Sequence, residues 1–577
     1  MQTPRRNVFA AGHIGALQLR VADVIILLVL AVIILIGIRL AVNVPQTLSG
    51  PTIDLSPRVL PYYALLSLLR MSAAYALSLI FSLLYGYFAA SNPNTERIML
   101  PILDVLQSVP ILSFLPVVLL GLTAVLPQGI AIELSAVLLI FTSQAWNITY
   151  SFYQSLKTLP TDIREAAYIF RFNWWWRFRR MQLPFAAIGL IWNSVMSWAG
   201  GWFFLIAAET FNVGTRDFRL PGLGSYLQTA AQRNDVTAIV WGLGTLIVLV
   251  TLLDQLILRP LLAWSDKFKV EMVESDSPPT SWFYDLLGHS HLATGFTNHV
   301  VIGLLRSVDR RLGRSLRSGL AFEAEETEAK PNPIRRLILG VLALGVLYGV
   351  WQLAGLLITV PLADYGRIVV GAFSTALRVF ISLGIGLLWT VPLGVAIGSN
   401  PKLAGILQPI VQIVASVPAT ALFPILLLAL INLPGGLNIA AVALMLLGTQ
   451  WYILFNVIAG ASAIPQDLRY TTDLLRFSSR KRWQRLILPS LFPYLVTGLI
   501  TAGGGAWNAS IVAEYTTFGA KTYSVTGLGS LISEATATGN FGLLAASTLT
   551  MILVVVSLNR YFWRRLYRLA EEKYKME

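Results

Sequence analysis

The chain has 577 residues, 55% of them hydrophobic and only 12% charged, with a mean hydropathy of +0.67. A soluble globular domain carries about 25% charged residues, so the composition marks an integral membrane protein. The formal net charge is +14, cysteine is absent and there are four histidines (His13, His289, His291, His299); disulfides and thiolate metal sites are excluded, and no convincing metal site remains.

Residues 1–20 contain Arg5, Arg6 and Arg20 and lead into an apolar run from Val21. No small-residue cleavage site follows, so the run reads as a first transmembrane helix and not a signal peptide. Runs long enough to cross about 30 Å of hydrocarbon then fall near 21–43, 64–90, 98–126, 129–151, 185–211 and 236–259. A second set falls near 335–359, 370–398, 404–431, 436–459, 490–513 and 541–559. The expected fold is an all-α integral membrane protein with about twelve transmembrane helices in two groups of six. Alternating sides from a cytoplasmic N-terminus gathers 152–184, 262–334, 460–489 and the C-terminus on the inside. Those segments are rich in Arg and Lys, as the positive-inside rule requires, and the charge needs no nucleic-acid partner.

The two groups are copies. Ser91-Asn92-Pro93 recurs as Ser399-Asn400-Pro401, and Ser108-Val109-Pro110 as Ser416-Val417-Pro418, both displaced by 308, as are Pro116 and Pro424. Later pairs are displaced by 305: Asp162 and Asp467, Arg164 and Arg469, Leu183-Pro184 and Leu488-Pro489, Trp202 and Trp507, Glu209 and Glu514, Gly222 and Gly527. Six spans return the chain to its starting side, so the repeat is parallel, with a path expected between the halves. The expected units are 1–261, a cytoplasmic linker 262–334, and 335–577. Within the linker, Val301, Leu304, Leu305, Val308 and Leu312 fall on one side of a helical pattern with arginines elsewhere. That suits an amphipathic helix on the inner membrane surface or on a partner; a partly ordered tether is the alternative.

Residues 160–184 form the first basic inner loop and recur from Pro465 to Pro489. Each copy opens on Pro, sets an Asp (Asp162, Asp467) in the first helical turn where the dipole favours it, and closes on cations and Leu-Pro. The pattern Glu165-Ala166-Ala167, a gap, then Leu183-Pro184 resembles the EAA loop of type I ABC importer permeases. The wider sequence resembles their nitrate/sulfonate/bicarbonate (taurine-type) branch, with two permease units fused. The resemblance covers both six-span groups but not the linker. It implies docking of each loop on one of two copies of a cytoplasmic ABC ATPase, which would bind the ATP and Mg; this chain would bind no cofactor. It also implies a periplasmic or lipid-anchored substrate-binding protein, a bacterial cytoplasmic (inner) membrane location with both termini inside, and contact with lipid. Carried over, Glu165, Ala166 and Ala167 would sit at the ATPase contact. The second copy departs from the pattern with Tyr470, Thr471 and Thr472, and the family's glycine is replaced by Arg171 and Arg476. These arginines read either as matched contacts to acidic ATPase groups or as part of the inner positive charge. Trp174, Trp175 and Trp176 fan around a helix, and interfacial anchoring of at least one is expected.

Inside the spans, Arg70 and Arg378 occupy equivalent positions, with Glu209 and Glu514 near the outer ends of the fifth and eleventh. Intramembrane charges mark pathways or pair with each other, so these four either face a passing anion or form structural ion pairs. Trp202 and Trp507 either line the path or fill the core. Ser108, Pro110, Ser416 and Pro418 interrupt the third and ninth spans, and broken backbone at membrane depth is tolerated where it lines a cavity. No nucleotide loop or HExxH motif occurs, so no catalytic residue and no metal ligand is expected. The function implied is the permease of an ATP-driven importer of a small anion such as nitrate, bicarbonate or a sulfonate. The alternatives are an importer of a cofactor precursor and a secondary transporter of two parallel six-helix halves.

Overall fold

The computed structural model describes residues 50–170, 172–213, 216–265, 281–289, 333–462, 466–518 and 521–573, with isolated positions 28, 29, 31, 32, 35, 36, 267, 306, 309 and 464. The expected first span therefore lies outside the described residues except at those isolated positions, and so does most of the linker, with the proposed amphipathic pattern of 300–317. The architecture is all-α: among the described residues, eight helices are long and apolar enough to cross a membrane.

In the first half, α1 (Leu60–Ser91), α2 (Pro93–Ser108), α3 (Ile111–Val125) and α4 (Gln128–Lys157) lead to a short α5 (Thr161–Ile169). Then come α6 (Trp174–Arg177), α7 (Leu183–Glu209), α8 (Leu223–Gln232), α9 (Val236–Leu253) and α10 (Arg259–Ser265), with α11 (Trp282–His289) in the linker. The second half runs α12 (Pro333–Ile358), α13 (Leu362–Ser399), α14 (Pro401–Ser416), α15 (Ala419–Leu430), α16 (Gly436–Ser462), α17 (Gln466–Leu474), α18 (Ser479–Arg482), α19 (Leu488–Ala513), α20 (Leu528–Thr538), α21 (Phe541–Leu558) and α22 (Arg564–Lys573). Antiparallel hairpins β1–β2 (Asn212–Val213, Arg216–Asp217) and β3–β4 (Tyr515–Phe518, Lys521–Ser524) follow α7 and α19.

Repeated motifs become repeated caps. The side chains of Asn92 and Asn400 accept from the backbone N–H of Asn94 and Lys402, at 2.9 and 3.0 Å, with proline as the first helical residue after each. That satisfies an orphan helix donor and uses proline where its missing N–H costs nothing. Val109 and Val417 are extended (ψ 123° and 119°), as a residue before proline must be, and this breaks the chain between α2 and α3 and between α14 and α15. The expected third and ninth spans are thus not single spans. Each is a pair of helices of at most 16 residues, and 16 residues reach only about 24 Å.

The same register governs finer features. Phe178–Gln182 and Trp483–Ile487 are π-turn segments entering α7 and α19, and Asp254–Leu258 and Asn559–Trp563 are π-turn segments leaving α9 and α21. Each pair is displaced by 305. The halves interlock symmetrically: α3 packs on α19 and α20, while α15 packs on α7 and α8. Crossing bonds run from the Leu112 N–H to Asn508 Oδ1 and from the Thr548 hydroxyl to the Ser113 carbonyl. One continuous buried core joins Leu112, Leu119 and Phe203 to Phe423, Trp507 and Leu531. The basic loops share one face, called here the loop face; the β-hairpins share the opposite one.

Candidate functional site

The site has three parts: two loops, two buried clasps on the opposite face, and a cavity between the halves.

In the first loop, α5 presents Asp162 and Glu165 to solvent and turns Ala167 inward. Ala167 is buried in a cluster with Leu159 and Met181, backed by Ile163, Phe172 and Phe185. A small residue at 167 lets α5 seat on the start of α7, while Ala166 is half-buried at the rim. In the second loop, Tyr470 and Thr471 are exposed and Thr472 takes the buried place, its hydroxyl donating to the Arg469 carbonyl at 2.7 Å. The buried small position therefore survives loss of the alanine. Leu183, Pro184 and Pro489 are half-buried and Leu488 exposed. Arg164 donates through Nη2 to the Leu159 carbonyl at 2.8 Å, closing the end of α4. Nothing is described for the side chain of Asp467, and Arg171 lies outside the described residues.

Arg476 is described, and it adopts the left-handed conformation, φ 48°. The bend it makes is closed by the Phe477 N–H donating to the Thr472 carbonyl at 3.0 Å, a helix-terminating bond that favours glycine. The first loop has the equivalent bond, Phe172 N–H to Ala167 carbonyl, at 3.0 Å. The bend needs a positive φ, and the arginine supplies it against its own steric preference.

Two features of the loops are not apparent from sequence reading. Ile169 and Phe170 are 79% and 72% exposed, and their counterparts Leu474 and Leu475 are 84% and 61% exposed. Their shared displacement of 305 was the available signal. The second feature is a linker contact. Trp175 donates its indole N–H to Asp309 at 2.9 Å, and Arg179 forms an ion pair with the other oxygen of that carboxylate. Trp174 stacks on Phe178 and meets Tyr87 edge-on, and the Arg180 guanidinium lies over the Trp176 ring. All three tryptophans thus have protein contacts.

On the opposite face, the four intramembrane charges are held by each other. Arg70 bonds Glu209 at 2.8 Å, donates to the Pro221 carbonyl at 2.8 Å and grips Glu133 through two 2.7 Å bonds. Glu209 also accepts from the Ser67 hydroxyl and from the Gly224 N–H, both at 2.7 Å, at the start of α8. The second half repeats the plan: Arg378 to Glu514 at 2.7 Å, Arg378 to the Thr526 carbonyl, and Thr375 and Gly529 to Glu514. Asn438 stands where Glu133 does. Each glutamate is fully buried against a helix N-terminus, where dipole and N–H groups stabilise a carboxylate. A Cβ at Gly222 or Gly527 would run into that carboxylate, which is why glycine precedes both helices. Of the two readings open for Arg70, Arg378, Glu209 and Glu514, the geometry is that of structural ion pairs, and none of the four lines the cavity below. Trp202 and Trp507 are buried at 2% and 4% exposure in the core.

The cavity, about 1130 Å³, opens between the halves. It runs from Val105 and Ala415, near the two helix breaks, to Thr158 and Ser462 at the roots of the loops. Its first-half wall offers Asn147, Tyr150, Ser151, Gln154 and Asn193; the second-half positions matching Tyr150 and Gln154 are Phe455 and Ala459. Among the described residues its charged liners are Arg560 and Arg564. Pro418 borders a smaller space of about 70 Å³ beside Trp451 and Tyr452. Pro110 is buried at its break, and nothing is described for the side chains of Ser108 and Ser416.

The chain matches the family model described as binding-protein-dependent transport system inner membrane component twice, over residues 82–267 and 390–568. It is 36% identical over 175 residues to a bicarbonate transport system permease protein of Synechocystis sp., covering 30% of this chain and 55% of that protein. To a nitrate import permease protein of the same organism it is 30% identical over 142 residues, 25% of this chain and 50% of that protein. To the taurine transport system permease protein of Escherichia coli it is 26% identical over 137 residues, 24% and 48% respectively. The chain spans about half the length of the curated relatives it matches. With the family model matched in both halves and over more than half the residues, this chain belongs to the binding-protein-dependent transport inner membrane components, in a form with two such units in one polypeptide.

Proposed function

We propose that the chain is the membrane-spanning permease subunit of an ATP-driven importer and forms the translocation path for a small anion, nitrate, bicarbonate or a sulfonate. The observation that carries the reading is the mirrored pair of loops at the root of one cavity, each offering two adjacent bare apolar side chains, Ile169-Phe170 and Leu474-Leu475. Exposed apolar pairs rimmed by charge mark protein contact sites, and two equivalent sites suit two copies of one cytoplasmic ATPase. Glu165 and Asp162 on the first loop, and Tyr470, Thr471 and Asp467 on the second, then border those contacts. ATP and magnesium belong to the ATPase partner.

Transmission follows from the packing. Movement of α5 is carried through Ala167 and Met181 to the base of α7, the far end of which holds Glu209 in the clasp. The two clasps keep α8 and α20 attached while the halves rock, so the cavity alternates between faces. A binding protein delivers substrate on the hairpin face. The units 1–261 and 335–577 act as the two halves of the path, joined by 262–334, in a bacterial cytoplasmic membrane with both termini inside. Support for an anion comes from Arg560 and Arg564 in the lining of the cavity and from the bicarbonate, nitrate and taurine named for the relatives.

The test is reconstitution with the ATPase and binding protein encoded beside it. ATP-dependent uptake of nitrate, bicarbonate or taurine is the expected result. Uptake that proceeds without ATP or without an ATPase partner would overturn the proposal.

A further inference from the structure

The large cavity continues towards the hairpin face along three helices in step. On α7 its lining passes from Asn193 and Met196 to Gly200 and Phe204. On α16 it passes from Ala459 and Phe455 to Tyr452 and Gly448, and on α19 from Thr497 and Thr501 to Gly505 and Ala509. The further residues border the space of about 70 Å³, and Met196 and Phe455 border both spaces, so the two adjoin. This continuation is one-sided. Pro418, Gly448 and Trp451 line it, whereas their first-half counterparts Pro110, Ser143 and Trp146 border neither space. Val417 lines it too, whereas Val109 is buried in a cluster with Leu353, Ala545 and Val556.

Tyr452 spans the narrowing. A Cβ at Gly200, in the other half, would stand 2.8 Å from the Tyr452 hydroxyl, and one at Gly505 would stand 3.7 Å from its ring. The side chain therefore reaches from α16 past α19 to the bare backbone of α7, and glycine at both positions permits the close approach. The first-half counterpart, Asn147, is too short for that reach and lines the wide cavity instead.

We infer that the path leaves the pseudo-twofold axis here and runs on the side of the second half, through a throat whose width Tyr452 sets. Non-helical backbone at membrane depth is tolerated where it lines a cavity or is buried in protein. Val417-Pro418 takes the first role and Val109-Pro110 the second, so two copies of one helix break do different work. Tyrosine suits the position because it presents an apolar body and a polar tip: the ring closes the throat, and the hydroxyl is the polar group a passing oxyanion meets. A small oxyanion passes when the ring leaves Gly200, and a bulkier one stays in the wide cavity. The inference rests on the reading of this cavity as the anion's path.

The chain has no cysteine, so a single introduced thiol reports the throat directly. Gly448→Cys lies one helical turn beyond Tyr452, and a Cβ there would meet the Ala419 methyl at 3.9 Å and nothing nearer outside its own helix. The full chain is purified with its ATPase, without nucleotide, and treated with 2-sulfonatoethyl methanethiosulfonate, a small sulfonate that reacts with thiols. Adding Tyr452→Asn, which copies the first half, should speed labelling of Gly448→Cys at least tenfold. Tyr452→Leu, which stays apolar but loses the reach to Gly200, should also speed it. Ser143→Cys, the first-half counterpart, should stay slow in both backgrounds, and Asn147→Ala should speed neither reporter. Labelling of Gly448→Cys that ignores both Tyr452 variants would overturn the throat. So would an equal rise at Ser143→Cys, which would mark general loosening. Uptake by the wild type in proteoliposomes separates this from the importer reading. ATP-driven uptake with unmoved labelling removes the throat alone; absence of uptake with a selective rise at Gly448→Cys removes the importer reading alone.

Discussion

Trp175 and Asp309 are 134 residues apart in sequence and joined by a 2.9 Å hydrogen bond. The same carboxylate takes an ion pair from Arg179, so a residue of the linker braces the first loop through two of its side chains. The second loop has Arg480 and Gln484 at the matching positions. It is instead held internally, by an ion pair between Arg482 and Asp473. Hydrogen bonds to a charged group are worth about 1.5–3 kcal/mol. Asp309→Ala should therefore increase amide exchange across 172–182 several-fold while leaving 477–487 unchanged; equal effects on both loops would count against the brace.

The clasps predict a stability hierarchy. Removing one partner of a buried ion pair costs about 3–5 kcal/mol, so Glu209→Gln and Glu514→Gln should each lower thermal stability in detergent substantially. Glu133 is 47% exposed, and an exposed pair is worth about 0–1 kcal/mol. Glu133→Gln, which converts the first clasp towards the Asn438 arrangement, should be nearly silent. Comparable losses for Glu133 and Glu209 would show that the clasp is not organised around the buried carboxylate.

Arg476 separates conformation from charge. Its left-handed backbone costs about 1–2 kcal/mol in a residue bearing a Cβ. Arg476→Gly should relieve that cost and raise the melting temperature slightly, whereas Arg476→Ala should not. If ATPase affinity falls equally in both variants, the guanidinium makes the contact; if only the alanine variant is impaired, the bend is what matters.

The exposed apolar pairs should behave as equivalents. Phe170→Asp and Leu475→Asp should each weaken ATPase co-purification at least tenfold, about 1.4 kcal/mol, without changing expression or the size of the purified chain. Unaltered co-purification in both would remove these residues from the contact.

A pH dependence follows from Glu96. Burial would raise its pKa, but Lys157 at 2.7 Å and the Tyr153 hydroxyl outweigh that and hold it below the usual 4.5. A carboxyl lowered on folding contributes stability above its unfolded pKa and loses it as pH falls through the folded one. Glu96→Gln should therefore lower the melting temperature slightly at neutral pH, and the difference from wild type should vanish in acid. A difference that persists in acid would exclude the ionised pair as its source.

Much of this was legible in the chain itself because it depended on local chemistry repeated at a fixed displacement. Asn-Pro caps, Val-Pro breaks and the Pro-x-Asp loop starts act within one or two turns, so the sequence carries their geometry directly. The clasps were half legible: the arginines and buried glutamates stood out as costly, but Glu133 lies 63 residues from Arg70 and looks like any polar residue in an apolar helix. Ile169 and Phe170 were hidden for a different reason. In a chain this apolar, a hydrophobic pair announces membrane, and only its position at the very end of α5 reveals solvent. The π-turn segments were not legible, since they come from packing against neighbours and not from any residue preference.

The unequal walls of the cavity have an evolutionary reading. In a pore built from two identical chains, any substitution near the axis appears twice, so a useful donor on one side arrives with a copy facing it. Two units on one polypeptide break that constraint. Tyr150 and Gln154 could persist opposite Phe455 and Ala459, and Asn559 and Arg560 could stand in one half where Asp254 and Gln255 stand in the other. Such a path is free to become a ramp along a single wall, tuned one residue at a time.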